Sequence, residues 1–241
     1  MSIALTGPPS LLATASGVYS PQDDSLLLID TLERSTVVIG RTVADLCTGT
    51  GVVAIAAAEL GAARVTAWDV CPLAADCAVS NAQAIGANVV VRRGSLAAAG
   101  AEGPYDVVVS NPPYVPTPPF GARRPVPLEA GPVRAWDGGE DGRRVLDPLC
   151  ASAPRLLTDG GTLLFVQSEF AGVETSLAAL RAGGLTANVV AWRSVPFGAV
   201  RCRSVPFGPV LDAQANWLEI TGRLAAGHRV EELVVIRADK P

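Results

Sequence analysis

Thr42-Val-Ala-Asp-Leu-Cys-Thr-Gly-Thr-Gly-Val-Val-Ala-Ile-Ala-Ala-Ala-Glu-Leu60 places a short apolar run, a glycine-rich turn and an alanine-rich run in direct succession. Thr42 to Leu46 reads as a buried strand, and Val52 to Leu60 as the helix that follows it. Glycines in such a turn let a ligand approach the backbone closely, and the first N–H groups of the next helix have no partners inside the helix. Outward from this unit the alternation repeats. Val65 to Trp68 is a strand followed by a helix over Leu73 to Ile85, and Asn88 to Val91 and Asp106 to Val109 are two further strands. A helix over Gly142 to Leu157, a strand at Thr162 to Val166, a helix at Thr175 to Leu180 and a strand at Thr186 to Trp192 continue the series. Leu233 to Ile236 closes it as a seventh strand. Continuous apolar strands separated by helices predict a doubly wound α/β domain with a mostly parallel seven-stranded sheet.

Composition narrows the chemistry. The 241 residues suit one domain, with no linker that would divide them, and 49% of them are apolar, enough for a sizeable core. No apolar run reaches the roughly 18 residues of a membrane helix, and the N-terminus lacks the basic leader of a secretory signal. The net charge of -4 counts against a substrate held mainly through phosphates. The pairs Arg92-Arg93, Arg123-Arg124 and Arg143-Arg144 read as solvated surface. Five cysteines (Cys47, Cys71, Cys77, Cys150, Cys202) without a CxxC pair support neither a disulfide framework nor a zinc cluster, and fit a reducing cytoplasm. His228, the single histidine, reads as a surface residue, which argues against triads and histidine-bound metals.

The turn after the first strand does not suit a phosphate ligand. Asp45, ahead of Gly49 and Gly51, would repel a pyrophosphate but could hold a cationic amino acid, and Ala54 follows where a third glycine would complete the dinucleotide fingerprint. Asp69, at the end of the second strand, is the expected acceptor for ribose hydroxyls; its bland alternative is a helix cap before Pro72. Gly94-Ser95-Leu96 could meet an adenine amine or be a plain turn. Asp24 or Ser25 could cap a helix over Ser25 to Leu32, with Val18 to Pro21 as an extended arm over the sheet.

Asp106-Val-Val-Val-Ser-Asn-Pro-Pro-Tyr114 is the most specific signal. A strand ends in a polar amide, two prolines and an aromatic ring at the sheet edge where ligands bind in open α/β sheets. Proline removes backbone donors, so the turn presents carbonyls. A planar NH2 group is a poor nucleophile until its hydrogens are held by acceptors. The Asn111 side-chain oxygen and the Pro112 carbonyl could take those hydrogens and direct the lone pair at a sulfonium methyl, with Pro113 shaping the turn and Tyr114 packing on the flat group.

These residues resemble the class I S-adenosylmethionine-dependent methyltransferases with an NPPY motif, and more narrowly the HemK family, which methylates the glutamine amide of peptide release factors. The resemblance covers most of the chain. It implies a Rossmann-like sheet with its last strand antiparallel, S-adenosylmethionine as cofactor and S-adenosylhomocysteine as product. Val18-Tyr19-Ser-Pro21-Gln-Asp-Asp24-Ser25 is similar to the arm and helix that cover the cofactor, so 1–35 is expected as a covering arm. Asp45, Cys47, Thr48, Gly49 and Gly51 match motif I, Asp69 with Val70 the ribose-binding turn, Ser95 with Leu96 the adenine side, and Asn111 to Tyr114 the catalytic motif. Ser95 stands where many relatives have an aspartate. Ala135 to Gly142 is similar to the family's glycine-rich segment, although composition alone predicts a mobile linker there. The resemblance is to the short eukaryotic and archaeal members, so no N-terminal helical domain of the bacterial kind is expected; those short members work with a small zinc-binding activator subunit.

Alternatives stay open at this stage. The motif serves exocyclic adenine amines in RNA or DNA as well as glutamine, and a small-molecule acceptor or a non-catalytic cofactor-binding scaffold also fits. Substrate choice is assigned to the proline-rich loop Val115 to Pro132, read as a semi-rigid lid or an exposed connection, and to residues 193–210. There Arg193 to Gly198 recurs letter for letter as Arg203 to Gly208, a tandem duplication read as a loop or β-arm that could contact substrate. A last helix is expected over Leu211 to Leu224, with Gly227 as its stop.

Overall fold

The computed structural model describes residues 12–119, 132–196, 215–227 and 230–241. In chain order the elements are α1 (Asp23–Ser35), β1 (Thr42–Leu46), α2 (Val52–Glu59), β2 (Arg64–Asp69), α3 (Pro72–Ile85), β3 (Val89–Arg93), α4 (Leu96–Glu102), β4 (Tyr105–Ser110), β5 (Val115–Pro116), β6 (Asp137–Gly139), α5 (Leu146–Leu156), β7 (Leu157–Ser168), α6 (Val173–Ala182), β8 (Thr186–Pro196) and β9 (Val230–Asp239). Seven strands form one sheet in the order β3-β2-β1-β4-β7-β9-β8, and β5 pairs separately with β6. The β1–β2, β2–β3, β1–β4 and β4–β7 pairs are parallel, while β9 runs antiparallel between β7 and β8. The mostly parallel doubly wound sheet and its antiparallel last strand agree with the sequence reading.

Burial explains why the strands read as unbroken apolar runs. Val107, Val108 and Val109 are all fully buried, so consecutive side chains, which point to opposite faces, meet a covered surface on both sides. Phe165, Leu163 and Leu164 do the same in β7, each contributing about 1.5–3 kcal/mol of apolar burial. Helix α2 is buried all round from Val52 to Ala57, which its small alanines permit against the sheet. Helices α1 and α2 pack together, and α4, α5 and α6 form a second layer.

The order of the strands makes the site. The chain moves outward from β1 through β2 to β3, then returns to the other side of β1 at β4. Leu46 is in register with Trp68 on one side and Ser110 on the other, so the three turns after β1, β2 and β4 open on one sheet edge, at the switch point.

Several local expectations fail for identifiable reasons. Helix α1 starts at Asp23 after Gln22, so neither Asp24 nor Ser25 is its cap; both are buried inside its first turn. Ser95 is no plain turn: its hydroxyl accepts from the Ala98 backbone and starts α4, which the short Leu96 to Glu102 run did not announce. Helix α5 begins at Leu146 rather than Gly142, because Gly142 has a positive φ of 78° and the chain must first clear the β6 turn. The supposed mobile linker at Ala135 to Gly142 instead holds β6, with Asp137 and both glycines of that strand buried. Arg143 is buried rather than solvated: it donates to the Ala171 and Gly172 carbonyls, to Ser176 and to Asp147.

Over its described part the first repeat, expected as a loop or β-arm, is strand: Arg193 to Pro196 extends β8, and Arg193 pairs with Asp23 and Asp30 of α1. The last helix is seen over 215–220 and stops before Gly222, which has a φ of 73°, short of Gly227. The second repeat, most of the Val115 to Pro132 lid with Arg123-Arg124, Cys202, His228 and the start of the last helix lie outside the described residues.

Candidate active site

At this sheet edge a cleft of ≈ 820 Å³ opens between the N-terminal arm and the ends of β1, β2 and β4. Tyr19, Pro21 and Ser25 line it from the arm side, Asp45, Cys47, Thr48 and Gly49 from the first turn, Asp69 and Val70 from the second, and Asn111 and Pro113 from the third. Ser95 and Leu96 do not line it, and Gly51 acts from behind. Gly51 has a φ of 83°, and a Cβ there would lie 3.0 Å from that of Ala78, so only glycine lets the turn enter α2 against α3.

The turn is braced by the two carboxylates singled out in the sequence. Asp45 is buried, and its Oδ2 accepts from the Thr48 hydroxyl at 2.6 Å and the Ala54 N–H at 3.1 Å. Both bonds go to one oxygen, so Oδ1 keeps its lone pairs, and Asp45 lines the cleft. Desolvation pushes the Asp45 carboxyl up to about 7, against the lowering by its two hydrogen bonds. Asp69 accepts from Gly49 N–H at 3.0 Å through Oδ2 and from Cys71 N–H at 2.8 Å through Oδ1, tying the first and second turns together. It does not cap α3, whose N-cap is Cys71. Burial, helped by Asp69 and Asp45, pushes the Cys47 thiol up to about 12, which removes it as a nucleophile.

A smaller cavity of ≈ 250 Å³ adjoins the cleft, lined by Tyr19, Asp24, Asn111, Pro112, Tyr114, Val115, Ala135 and Trp136. Asn111 and Tyr19 line both cavities and stand at their junction. Asp24, expected beside the cofactor, faces the small cavity instead. Its Oδ2 accepts from the Tyr114 hydroxyl at 3.1 Å and the Tyr19 hydroxyl at 3.4 Å. Desolvation, and then the nearby Asp24, hold both phenols well above their ordinary range, so they act as neutral donors. The Ser110 hydroxyl donates to Leu46 O at 2.8 Å and pins the end of β4 to β1, while Asn111 Nδ2 donates to the Ser25 hydroxyl at 3.1 Å.

The glycine-rich segment supports this motif from below. Val115 N–H donates to Trp136 O, and Thr117 donates to Asp137 at 2.6 Å. A Cβ on Gly142 would lie 2.5 Å from the Tyr114 carbonyl oxygen. Arg134, Ala135 and Trp136 line the two cavities without having been foreseen. They arrive from far along the chain, so no spacing near the motifs announced them. The same holds for Asn81, which bonds the Thr50 carbonyl under the glycine turn. Among the described residues no cluster of His, Cys, Asp or Glu could hold a metal, and no helix is long and apolar enough to cross a membrane.

Residues 10–117 match the model of the methyltransferase small domain family. A Methanocaldococcus jannaschii protein named for protein N5-glutamine methyltransferase activity is 32% identical over 180 residues, covering 75% of this chain and 87% of its own length. The release factor glutamine methyltransferase of Deinococcus radiodurans is 36% identical over 184 residues, and there this chain spans 65% of the relative. Among solved structures, the E. cuniculi Mtq2–Trm112 complex, described as responsible for methylation of the eRF1 translation termination factor, superposes with a TM-score of 0.57 at 23% identity. That match covers 93% of this chain and 99% of that one. A glycine turn braced by two carboxylates, an Asn-Pro-Pro-Tyr edge beside it and these relatives agree: the chain is an N-methyltransferase of the class I fold and belongs to the protein N5-glutamine methyltransferase family.

Proposed function

We propose that the enzyme transfers a methyl group from S-adenosylmethionine to the side-chain amide nitrogen of a protein glutamine, the Gly-Gly-Gln of a peptide release factor. The observation that carries this reading is Asn111 at the junction of a large cleft and a small cavity lined by Tyr19, Pro112, Tyr114 and Trp136. When bound, the cofactor supplies a sulfonium methyl carbon open to attack by a lone pair.

The donor set in the cleft fits that cofactor. Asp45 Oδ1 would accept from its ammonium group, and the remaining lone pairs of Asp69 would suit a ribose diol. In the small cavity the Asn111 side-chain oxygen and the Pro112 carbonyl take the two amide hydrogens, which turns the nitrogen lone pair toward the cleft and opposes the charge that grows on it. Held this way, the acceptor nitrogen would present its lone pair to the methyl carbon that a cofactor seated on Asp45 and Asp69 would offer, and the proton it sheds on methylation would leave to solvent. Tyr114, held by Asp24, forms a wall for the planar group.

A small activator subunit belongs to this reading, by analogy with the Mtq2–Trm112 complex. The test is transfer of labelled methyl to a recombinant release factor, with and without a zinc-binding partner. Mass spectrometry should place the label on the glutamine. In Asn111→Ala, kcat should fall about 10²–10³-fold while cofactor affinity holds. Label appearing only in RNA would overturn the assignment in favour of an adenine amine.

A further inference from the structure

We infer that Asp24 is a positioning residue, which sets the orientation of the Asn111 amide through Ser25. The inference rests on the function proposed above, because it concerns the group that would hold the acceptor nitrogen.

Asp24 is 4% exposed and lies in the first turn of α1, outside the cofactor cleft. Its two oxygens divide the work. Oδ2 takes the hydroxyls of Tyr114 and Tyr19, whereas Oδ1 takes the Ser25 N–H at 2.6 Å and the Ser25 hydroxyl at 3.4 Å. The same hydroxyl then meets Asn111 Nδ2 at 3.1 Å.

A serine hydroxyl holds one proton, and by itself could donate to an amide oxygen or accept from an amide nitrogen equally well. A carboxylate offers only lone pairs, so the Ser25 proton is drawn to Asp24 and only lone pairs remain for Asn111. The amide therefore presents Nδ2 to Ser25, which leaves Oδ1 as the acceptor for a substrate N–H. The polarity of the whole chain, Asn111 to Ser25 to Asp24, is set at its carboxylate end. Without that end the amide can turn over and present hydrogens to a nitrogen that carries hydrogens itself, a repulsive pairing.

Asp24→Asn tests this with little change of shape. An amide at position 24 can donate to Ser25, which frees the serine proton for Asn111 Oδ1 and admits the reversed chain. The expected result on a release factor substrate is a fall in kcat of about tenfold or more, the scale of one reversed hydrogen bond. KM should stay within about threefold, and the cofactor Kd by calorimetry should be retained, since Asp24 does not line that cleft. Ser25→Ala should lose kcat in the same way, and Ser25→Thr, which keeps the hydroxyl, should recover it.

An arm without turnover separates this idea from the assigned activity. In ¹⁵N-labelled protein the Asn111 side-chain NH2 pair, identified by its absence in Asn111→Asp, should shift in Asp24→Asn and return toward the native position in Ser25→Thr relative to Ser25→Ala. Native kcat with an unmoved NH2 pair in Asp24→Asn overturns the positioning role. Wild-type protein that methylates no release factor while the NH2 pair still shifts overturns the substrate and leaves the positioning role standing.

Discussion

Cofactor affinity should depend on pH through Asp45. The carboxyl is 1% exposed and pushed up to about 7 by desolvation, so in the empty cleft it is largely protonated below that value. A cationic ammonium needs the ionised form, so binding expels the proton. At pH 8 the group is mostly ionised and affinity is on its plateau; at pH 6 only about a tenth is ionised, and Kd should be about tenfold weaker. The same shift acts on stability with a stated sign. Raised from 3.8 to about 7, Asp45 contributes stability that is fully present below about pH 4 and is lost as pH rises through about 7. The loss amounts to about 4 kcal/mol for a shift of this size, and a bound cation offsets it.

Calorimetry with S-adenosylhomocysteine between pH 5.5 and 8, in buffers of different ionisation enthalpy, counts the proton directly. Close to one proton should be released at pH 6 and almost none at pH 8. Asp45→Asn should bind weakly at every pH and release none. Glu231, also pushed up to about 7, does not line the cleft, so that variant isolates the response. A Kd independent of pH in the wild-type protein would refute the role given to Asp45.

Three further outcomes can be checked separately. Asp69→Ala should weaken cofactor binding about 100-fold, since it removes charged hydrogen bonds of roughly 1.5–3 kcal/mol each and frees Gly49 N–H; an unchanged Kd by calorimetry would contradict its place in the site. Gly142→Ala forces an L residue to a φ of 78° with its Cβ 2.5 Å from Tyr114 O, so it should cost about 2 kcal/mol and lower Tm by about 4–8 °C, with kcat falling as the motif is displaced. Arg143→Ala strands the Ala171 and Gly172 carbonyls and should cost about 3 kcal/mol in urea unfolding, without a matching change in cofactor Kd of the folded protein.

Local chemistry carried most of the fold. Runs such as Val107 to Val109 and the alanine-rich α2 are apolar at every position, so their burial on both faces, and with it a parallel sheet, could be read without coordinates. The positions of Asp45, Asp69 and Asn111 followed too, because each ends a strand and strand ends in such sheets converge on one edge. Contacts between distant segments could not be read in the same way. Asp24 looked like a helix cap because capping is a short-range signal, yet its partners Tyr19 and Tyr114 stand 5 and 90 residues away. Arg143 looked solvated because charge suggests a surface, yet carbonyls from 28 and 29 residues further on surround its guanidinium. Gly138 and Gly139 looked like a linker until β6 met β5 across some twenty intervening residues. Strand ends and local composition were enough to read the sheet, the glycine turn after β1 and the Asn-Pro-Pro-Tyr edge from the chain, although Asn111 and Tyr114 find their side-chain partners 86 and 90 residues away. Which polar groups satisfy one another across the site emerges only in three dimensions, since a hydrogen bond depends on distance in space and leaves no periodic mark in the chain.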